Sequence, residues 1–407
     1  MSTTVTDFTQ RNAAIDIFRA LTMLLMIFVN DFWTIKGVPE WMGHARFDQD
    51  MFGLSDVVFP CFLFVVGMSI PFALERRFSK GLSGVSTVGH ILTRTLALIL
   101  MGVFTVNAGS GLSKEVGMLP AVYKILMVIG FLLVWNSYPH SGNIRLNRFY
   151  TLLKIIGMLL LVYLAVIFTD SKGGVFQARW WGILGLIGWA YLICAFTYLF
   201  TRDRLKYLIP VWLILITLCI LLSTIRESVP LLNLPKEHFL NEFLRTLHAG
   251  NGALAALTMG GMILSLISTK YKSVSSRKKI MAVLIITASL YLAGFISHKF
   301  WIISKIQETP PWIFYCMAIS VGVYAILYWL VEKGKAHWFN IIKVAGTATL
   351  TCYLVPYVTY SVSSLIGIKL PVWLTTGYVG LLNCAAYSFM VIGITYLLGR
   401  IHIKLKI

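Results

Sequence analysis

Apolar residues run along this chain in blocks of about 18 to 25, the length that carries an α-helix across the hydrocarbon core of a bilayer. Short segments rich in Gly, Pro, Ser, Lys and Arg separate the blocks. The blocks fall at residues 14–34, 53–74, 90–107, 118–136, 152–169 and 180–200, then at 206–225, 246–268, 279–297, 311–331, 338–363 and 372–398. In lipid no water can satisfy a backbone N–H or C=O, so each block must be helical. The pattern therefore predicts an all-α fold, a polytopic transmembrane helix bundle. The blocks 90–107 and 246–268 carry polar residues, so the pattern alone gives 11 or 12 spans. No internal repeat is visible, and residues 1–407 read as a single integral membrane domain.

Composition and charge sharpen this picture. Of the 407 residues 58% are hydrophobic and only 13% charged, about half the charged share of a soluble domain. The formal net charge of +19 would suit a nucleic-acid binder, but its distribution does not. Lys and Arg concentrate in alternate loops, among them Arg76, Arg77 and Lys80, then Arg145, Arg148 and Lys154, and at the end Arg400, Lys404 and Lys406. The richer set of loops is cytoplasmic by the positive-inside rule. Both termini are then cytoplasmic, which requires an even number of spans and favours twelve. The basic excess reads as topology plus contact with anionic membrane lipids, and no nucleic-acid partner is expected. All six cysteines lie in or beside apolar blocks, and none forms a C-x-x-C pair. Neither a disulfide framework nor a metal site is expected. Asp16 and Arg19 interrupt the first block and no small-residue cleavage site follows, so that block reads as a retained helix. With no organelle signal in view, the expected location is a bacterial inner (cytoplasmic) membrane, crossed many times.

Ionisable residues inside a span are costly and mark function, and most of them lie in the first third of the chain. Asp16 and Arg19, three residues apart, share a helix face. They read either as an interfacial ion pair or as part of a phosphate-binding surface. Asn30, Asp31, His44 and Asp56 all fall at the outer face by the topology above. A carboxylate beside a histidine fixes its tautomer and raises its basicity, the orienting role found in catalytic triads.

The segment Arg11-Asn-Ala-Ala-Ile-Asp16-Ile-Phe18-Arg19-Ala20, followed by Met26-Ile-Phe-Val-Asn30, His44-Ala45 and Asp56-Val-Val-Phe59-Pro60-Cys-Phe-Leu-Phe64-Val-Val-Gly67, resembles the heparan-α-glucosaminide N-acetyltransferase family. The resemblance is carried by about residues 11–75, with looser matches at Gly346–Tyr353 and Lys299–Trp301. It implies an acetyl-CoA-dependent membrane acyltransferase. Such an enzyme moves acetyl from cytoplasmic acetyl-CoA to a non-reducing-end glucosamine, or a related amino sugar, on the far side. In the family that acceptor belongs to a glycosaminoglycan, heparan sulfate. His44 matches the family's catalytic histidine, and Asn30 and Asp56 match its supporting polar residues. His44 would be general base on the acceptor amine or the nucleophile that carries acetyl; Asp56 would stabilise the imidazolium and Asn30 the oxyanion. The chain departs from the family at Ala20 (Gly in the family). The stretch between His44 and Asp56 is longer, and Phe47 stands near where the family has Trp. These departures bear on the acceptor more than on the reaction.

Donor contacts are expected from Arg11, Asp16, Arg19 and Arg76, with Arg77 equally eligible, since these are basic or paired groups on the cytoplasmic side, although topology alone would put the arginines there. Acceptor contacts are expected from Asp31, Trp41, His248, Asn251, His298 and Lys299. His248 and Asn251 also have a structural reading, His298 and Lys299 one as interfacial anchors, and the Trp residues near span ends one as an aromatic belt. Two alternatives stay open. One is O-acylation of an envelope polysaccharide; the other is a twelve-span secondary transporter, which would normally show related halves and charges near the midplane. A homo-oligomer is compatible with the sequence.

Overall fold

A computed structural model describes residues 12–139, 142–226, 228–233, 235, 238–246, 250–270 and 276–407. Among them the protein is all-helical, with isolated β-bridges and no strand. The helices are α1 (Ala13–Asn30), α2 (Leu54–Ser79), α3 (Gly84–Gly109), α4 (Pro120–Trp135), α5 (Ile144–Ile167), α6 (Ile183–Thr201) and α7 (Leu205–Leu222). They continue with α8 (Phe239–Thr246), α9 (Ala253–Lys270), α10 (Ser276–Ser297), α11 (Pro310–Glu332), α12 (Lys343–Thr347), α13 (Thr349–Ile366) and α14 (Gly377–Arg400).

Each of the twelve apolar blocks contains a helix. Ten helices among the described residues are long and apolar enough to cross a membrane, and the chain is a multi-pass membrane protein. The two remaining blocks differ for local reasons. Pro120 opens α4, and the apolar helix is only 16 residues long. The block at 338–363 is broken at Ala348, whose φ of −128° separates α12 from α13. Gly346, Thr347 and Thr349 around the break favour helix weakly, although Ala348 itself does not. The helix expected from 246 begins at Ala253.

The chain divides into two compact units, and the division falls inside α1, α3 and α6. The first unit holds residues 1–22, 39–95 and 187–340; the second holds 23–38, 96–186 and 341–407. In the first unit α2 lies directly on α9. A Cβ on Gly67 would stand 1.7 Å from the Thr258 carbonyl oxygen, and one on Gly261 would stand 1.9 Å from that of Phe64. Only glycine permits that approach of two helix backbones. Pro60 and Pro71 lie within α2, which a membrane helix tolerates when neighbouring helices satisfy the freed backbone groups. The fully buried Trp312 of α11 donates from Nε1 to the Asp56 carbonyl at 3.1 Å, pinning the first turn of α2. In the second unit α4 packs on α5 through Gly130 and Gly157, which meet Leu161 and Leu133 closely.

Candidate functional site

The best-defined polar cluster of the first unit is built around the start of α2. Gly53 is extended, with φ −92° and ψ 178°, and α2 begins at the next residue. A Cβ on Gly53 would lie 2.1 Å from the Gly43 carbonyl oxygen, so glycine lets the two ends of the 43–53 loop touch. Asp56 stands in the first helical turn, where a carboxylate suits the helix dipole. Its side chain accepts from the Gly53 amide at 3.3 Å and from the Ala45 amide at 2.9 Å. It also lies 2.7 Å from His44 Nδ1. An ionised carboxylate only accepts, so Nδ1 carries the proton and Nε2 keeps its lone pair. Asp56 is buried whereas the His44 side chain is 53% exposed. The pair is thus a fixed acid with an accessible imidazole. Ser55 Oγ donates to the Met42 carbonyl at 2.6 Å and anchors the same loop.

The loop between α10 and α11 forms a second wall, and most of it escaped the sequence reading. Lys305 Nζ lies 3.4 Å from His44 Nδ1, 3.6 Å from Asp56 Oδ1 and 3.3 Å from the Ser55 carbonyl. Burial pulls the Lys305 pKa below the usual lysine range, with Asp56 opposing. Asp50 ties the two loops together. It accepts from the Ile303 amide at 2.8 Å and from Arg226, and its Oδ1 lies 2.9 Å from His298 Nε2. Burial works against the Asp50 charge, but these donors hold its carboxyl below the usual range. Gln307 Nε2 donates to the Phe47 carbonyl at 2.7 Å. Glu308, with φ +52°, has its carboxyl pushed up to about 7 by burial.

The remaining residues singled out by sequence are placed as follows. Asn30 is the exposed last residue of α1 and belongs to the second unit, not to the one that holds His44 and Asp56. Asp31 is buried in the second unit and accepts from the Tyr360 hydroxyl at 2.5 Å, while Tyr360 stacks on Tyr387 at 5.1 Å. Trp41 is exposed in a short 3₁₀ turn beside the His44 loop. Asn251 accepts from the Ala253 amide at 3.1 Å and donates to the Glu308 carbonyl at 2.9 Å, so its side chain caps α9 and braces the loop. His298 belongs to the Asp50 tie, and Lys299 lies over the Phe295 ring at 5.8 Å. Asp16 and Arg19 pair at 3.4 Å, and Arg19 also donates to Ser69 Oγ at 2.6 Å. Arg76 is exposed. Arg11 and His248 lie outside the described residues. The signal that could have drawn attention to the second wall is the concentration of charge between two apolar helices, with Lys305 and Glu308 following Lys299-Phe-Trp301.

A family profile described as "Domain of unknown function (DUF5009)" matches residues 11–229. The chain is also similar to the heparan-alpha-glucosaminide N-acetyltransferase of Mus musculus, 30% identical over 152 residues, or 34% of this chain and 22% of the mouse protein. Its counterpart from Homo sapiens is 32% identical over 101 residues, 24% of this chain and 14% of the human protein. The matches therefore span less than a quarter of the length of either relative.

Proposed function

The chain belongs to the DUF5009 family, and from that premise we propose that it is a membrane acyltransferase whose reacting group is His44. The observation that carries the reading is the 2.7 Å bond from Asp56 to His44 Nδ1, which leaves Nε2 free on a half-exposed ring. The donor in this reading is cytoplasmic acetyl-CoA, and the acceptor is the amine of a glucosamine or related amino sugar at the opposite face. The membrane is a bacterial inner membrane. The mouse and human relatives, both heparan-alpha-glucosaminide N-acetyltransferases, support the same class.

The chemistry follows from the residues. Neutral His44 takes the proton of the acceptor amine as the amine attacks the thioester carbonyl and coenzyme A leaves as its thiolate. Alternatively, Nε2 first attacks that carbonyl, releases coenzyme A thiolate and then yields the acyl group to the amine. In both routes the thiolate ends with the proton the amine gives up. In either route positive charge develops on the ring, and Asp56 stabilises it across Nδ1. Before that, the buried carboxylate needs a counter-charge, since an unpaired buried ion is costly. Lys305 supplies it at 3.6 Å.

The test is transfer from labelled acetyl-CoA to glucosamine by the full chain in nanodiscs, comparing wild type with His44→Ala. Transfer by wild type that disappears in a folded variant supports the assignment. Equal transfer by both removes His44 from the chemistry, and no turnover across a panel of amino sugars and glycans rejects the acyltransferase reading.

A further inference from the structure

A second charged cluster in the first unit takes no part in the His44 chemistry. Arg77 lies near the end of α2, and Arg94 lies in α3. Both guanidinium groups are within electrostatic reach of His90 and of Tyr191, and Arg94 rests over the Tyr191 ring at 4.8 Å. Arg77 donates to the carbonyl and hydroxyl of Ser86 at 3.1 and 3.2 Å. The Nε atom of each arginine is buried and has no hydrogen-bond partner among the described residues. Neither arginine forms an ion pair among them. Glu75, two residues before Arg77, is engaged elsewhere, with Arg202 at 3.5 Å and with the Tyr198 hydroxyl at 3.0 Å.

Two fixed positive charges drawn together without a counter-charge repel each other and leave desolvated donors unpaired. Topology explains basic residues in cytoplasmic loops, but those residues stay in solvent, as Arg76, Arg145 and Arg148 do. Arg77 and Arg94 are partly withdrawn instead. The arrangement becomes favourable when an anion with several acceptor oxygens joins it, because the guanidinium fork matches phosphate geometry. The cluster is also far from His44. From Asp56 to Arg77 is twenty-one residues of α2, about 30 Å at the rise of an α-helix, which is the thickness of the hydrocarbon core.

We propose that Arg77 and Arg94 bind a phosphate-bearing anion at the end of α2 opposite the His44 site. The inference rests on this cluster and not on the acyl-transfer reading. A free phosphate compound and an anionic lipid headgroup share the required chemistry, and the experiment separates them. The full chain in nanodiscs of zwitterionic lipid is titrated calorimetrically with inorganic pyrophosphate and with coenzyme A. In parallel, phosphatidylglycerol retention from mixed vesicles is read by native mass spectrometry. Arg77→Gln and Arg94→Gln should each weaken binding about tenfold or more, whereas Arg148→Gln, at an exposed position, should change nothing. Arg94→Lys keeps the charge without the fork and should give a smaller loss, which preserves the test should Arg94→Gln fail to fold. Loss of pyrophosphate and coenzyme A binding identifies a soluble phosphate ligand; loss of phosphatidylglycerol retention alone identifies a headgroup. Absence of all binding in wild type, or binding unchanged in folded Arg77 and Arg94 variants, overturns the proposal. Acetyl transfer is not the readout, so a failure of the His44 assignment leaves this result intact.

Discussion

Glu308 ends the loop before α11 with a left-handed backbone, φ +52°, and a carboxyl that burial raises from its ordinary 4.5 to about 7. Among the described residues no side chain donates to that carboxyl. Between pH 4.5 and 7 the folded chain therefore holds a proton that the unfolded chain has released. Stability falls as pH rises through that window, and above it the full cost of a buried carboxylate is present. At about 1.4 kcal/mol for each pH unit between the two values the cost reaches roughly 3 kcal/mol. Because the residue keeps some solvent exposure, about 1–3 kcal/mol is the working range.

Glu308→Gln keeps the side-chain size and the same backbone angle, so it isolates the charge. Thermal unfolding of wild type and variant in detergent, from pH 5 to pH 8.5, gives the comparison. Toward pH 5 the curves should draw together, and they should meet below pH 4.5, where Glu308 is neutral in both the folded and the unfolded chain. Above pH 7 the variant should unfold a few degrees higher, and the separation should open across the window set by the raised pKa. Titration of other groups, including Lys305, cancels in the difference. Parallel curves at all pH values, or a variant less stable at pH 8, would refute a carboxyl buried against its own ionisation.

Three further outcomes follow from the same geometry. Asp56→Asn removes the charge that fixes and supports His44, and acetyl transfer should fall by about 10²- to 10⁴-fold, read as a loss in kcat in protein that elutes as wild type does. Gly261→Ala pushes a methyl to 1.9 Å from the Phe64 carbonyl and should cost about 1–3 kcal/mol or more, seen as a lower unfolding temperature with α2 and α9 forced apart. Asp50→Asn should destabilise the chain at neutral pH by roughly 1–2 kcal/mol, since its charged carboxylate holds the donors of two loops. The folded pKa of Asp50 is depressed below 3.8, so that stabilisation is present above 3.8 and is lost as pH falls through the lower value. Wild type and variant should therefore converge only in acid.

The fold was largely legible because lipid leaves the backbone one choice. An apolar run of sufficient length has to be helical whatever its detailed sequence, and every run located in the sequence contains a helix. The pattern was least informative where length and continuity were marginal. Pro120 shortens α4, and the Gly-Thr-Ala-Thr stretch at 346–349 interrupts a run that hydropathy reads as continuous. The His44–Asp56 pair was also within reach of sequence, because twelve residues and a short glycine-closed loop separate the two. Lys305 was not. It meets His44 across 261 positions; the charge between α10 and α11 marks the loop, but nothing in one sequence pairs it with His44.

The arginines show most clearly where sequence reading stops. Arg76 and Arg77 are adjacent and follow the same glutamate, and the positive-inside rule treats them alike. On α2 they point about 100° apart, so Arg76 is exposed while Arg77 is half withdrawn with its Nε buried. Arg94 sits on α3 among His90, Thr93 and Thr95, where charge count would assign it to topology like the rest. What separates Arg77 and Arg94 from the other basic residues is a buried Nε with no hydrogen-bond partner among the described residues. That state is a property of packing. Arg19 differs in the opposite direction. It was a donor-site candidate on charge, yet Asp16 and Ser69 already occupy its guanidinium, so an incoming phosphate would have to displace existing partners there, whereas at Arg77 and Arg94 it would satisfy buried Nε donors that have none among the described residues.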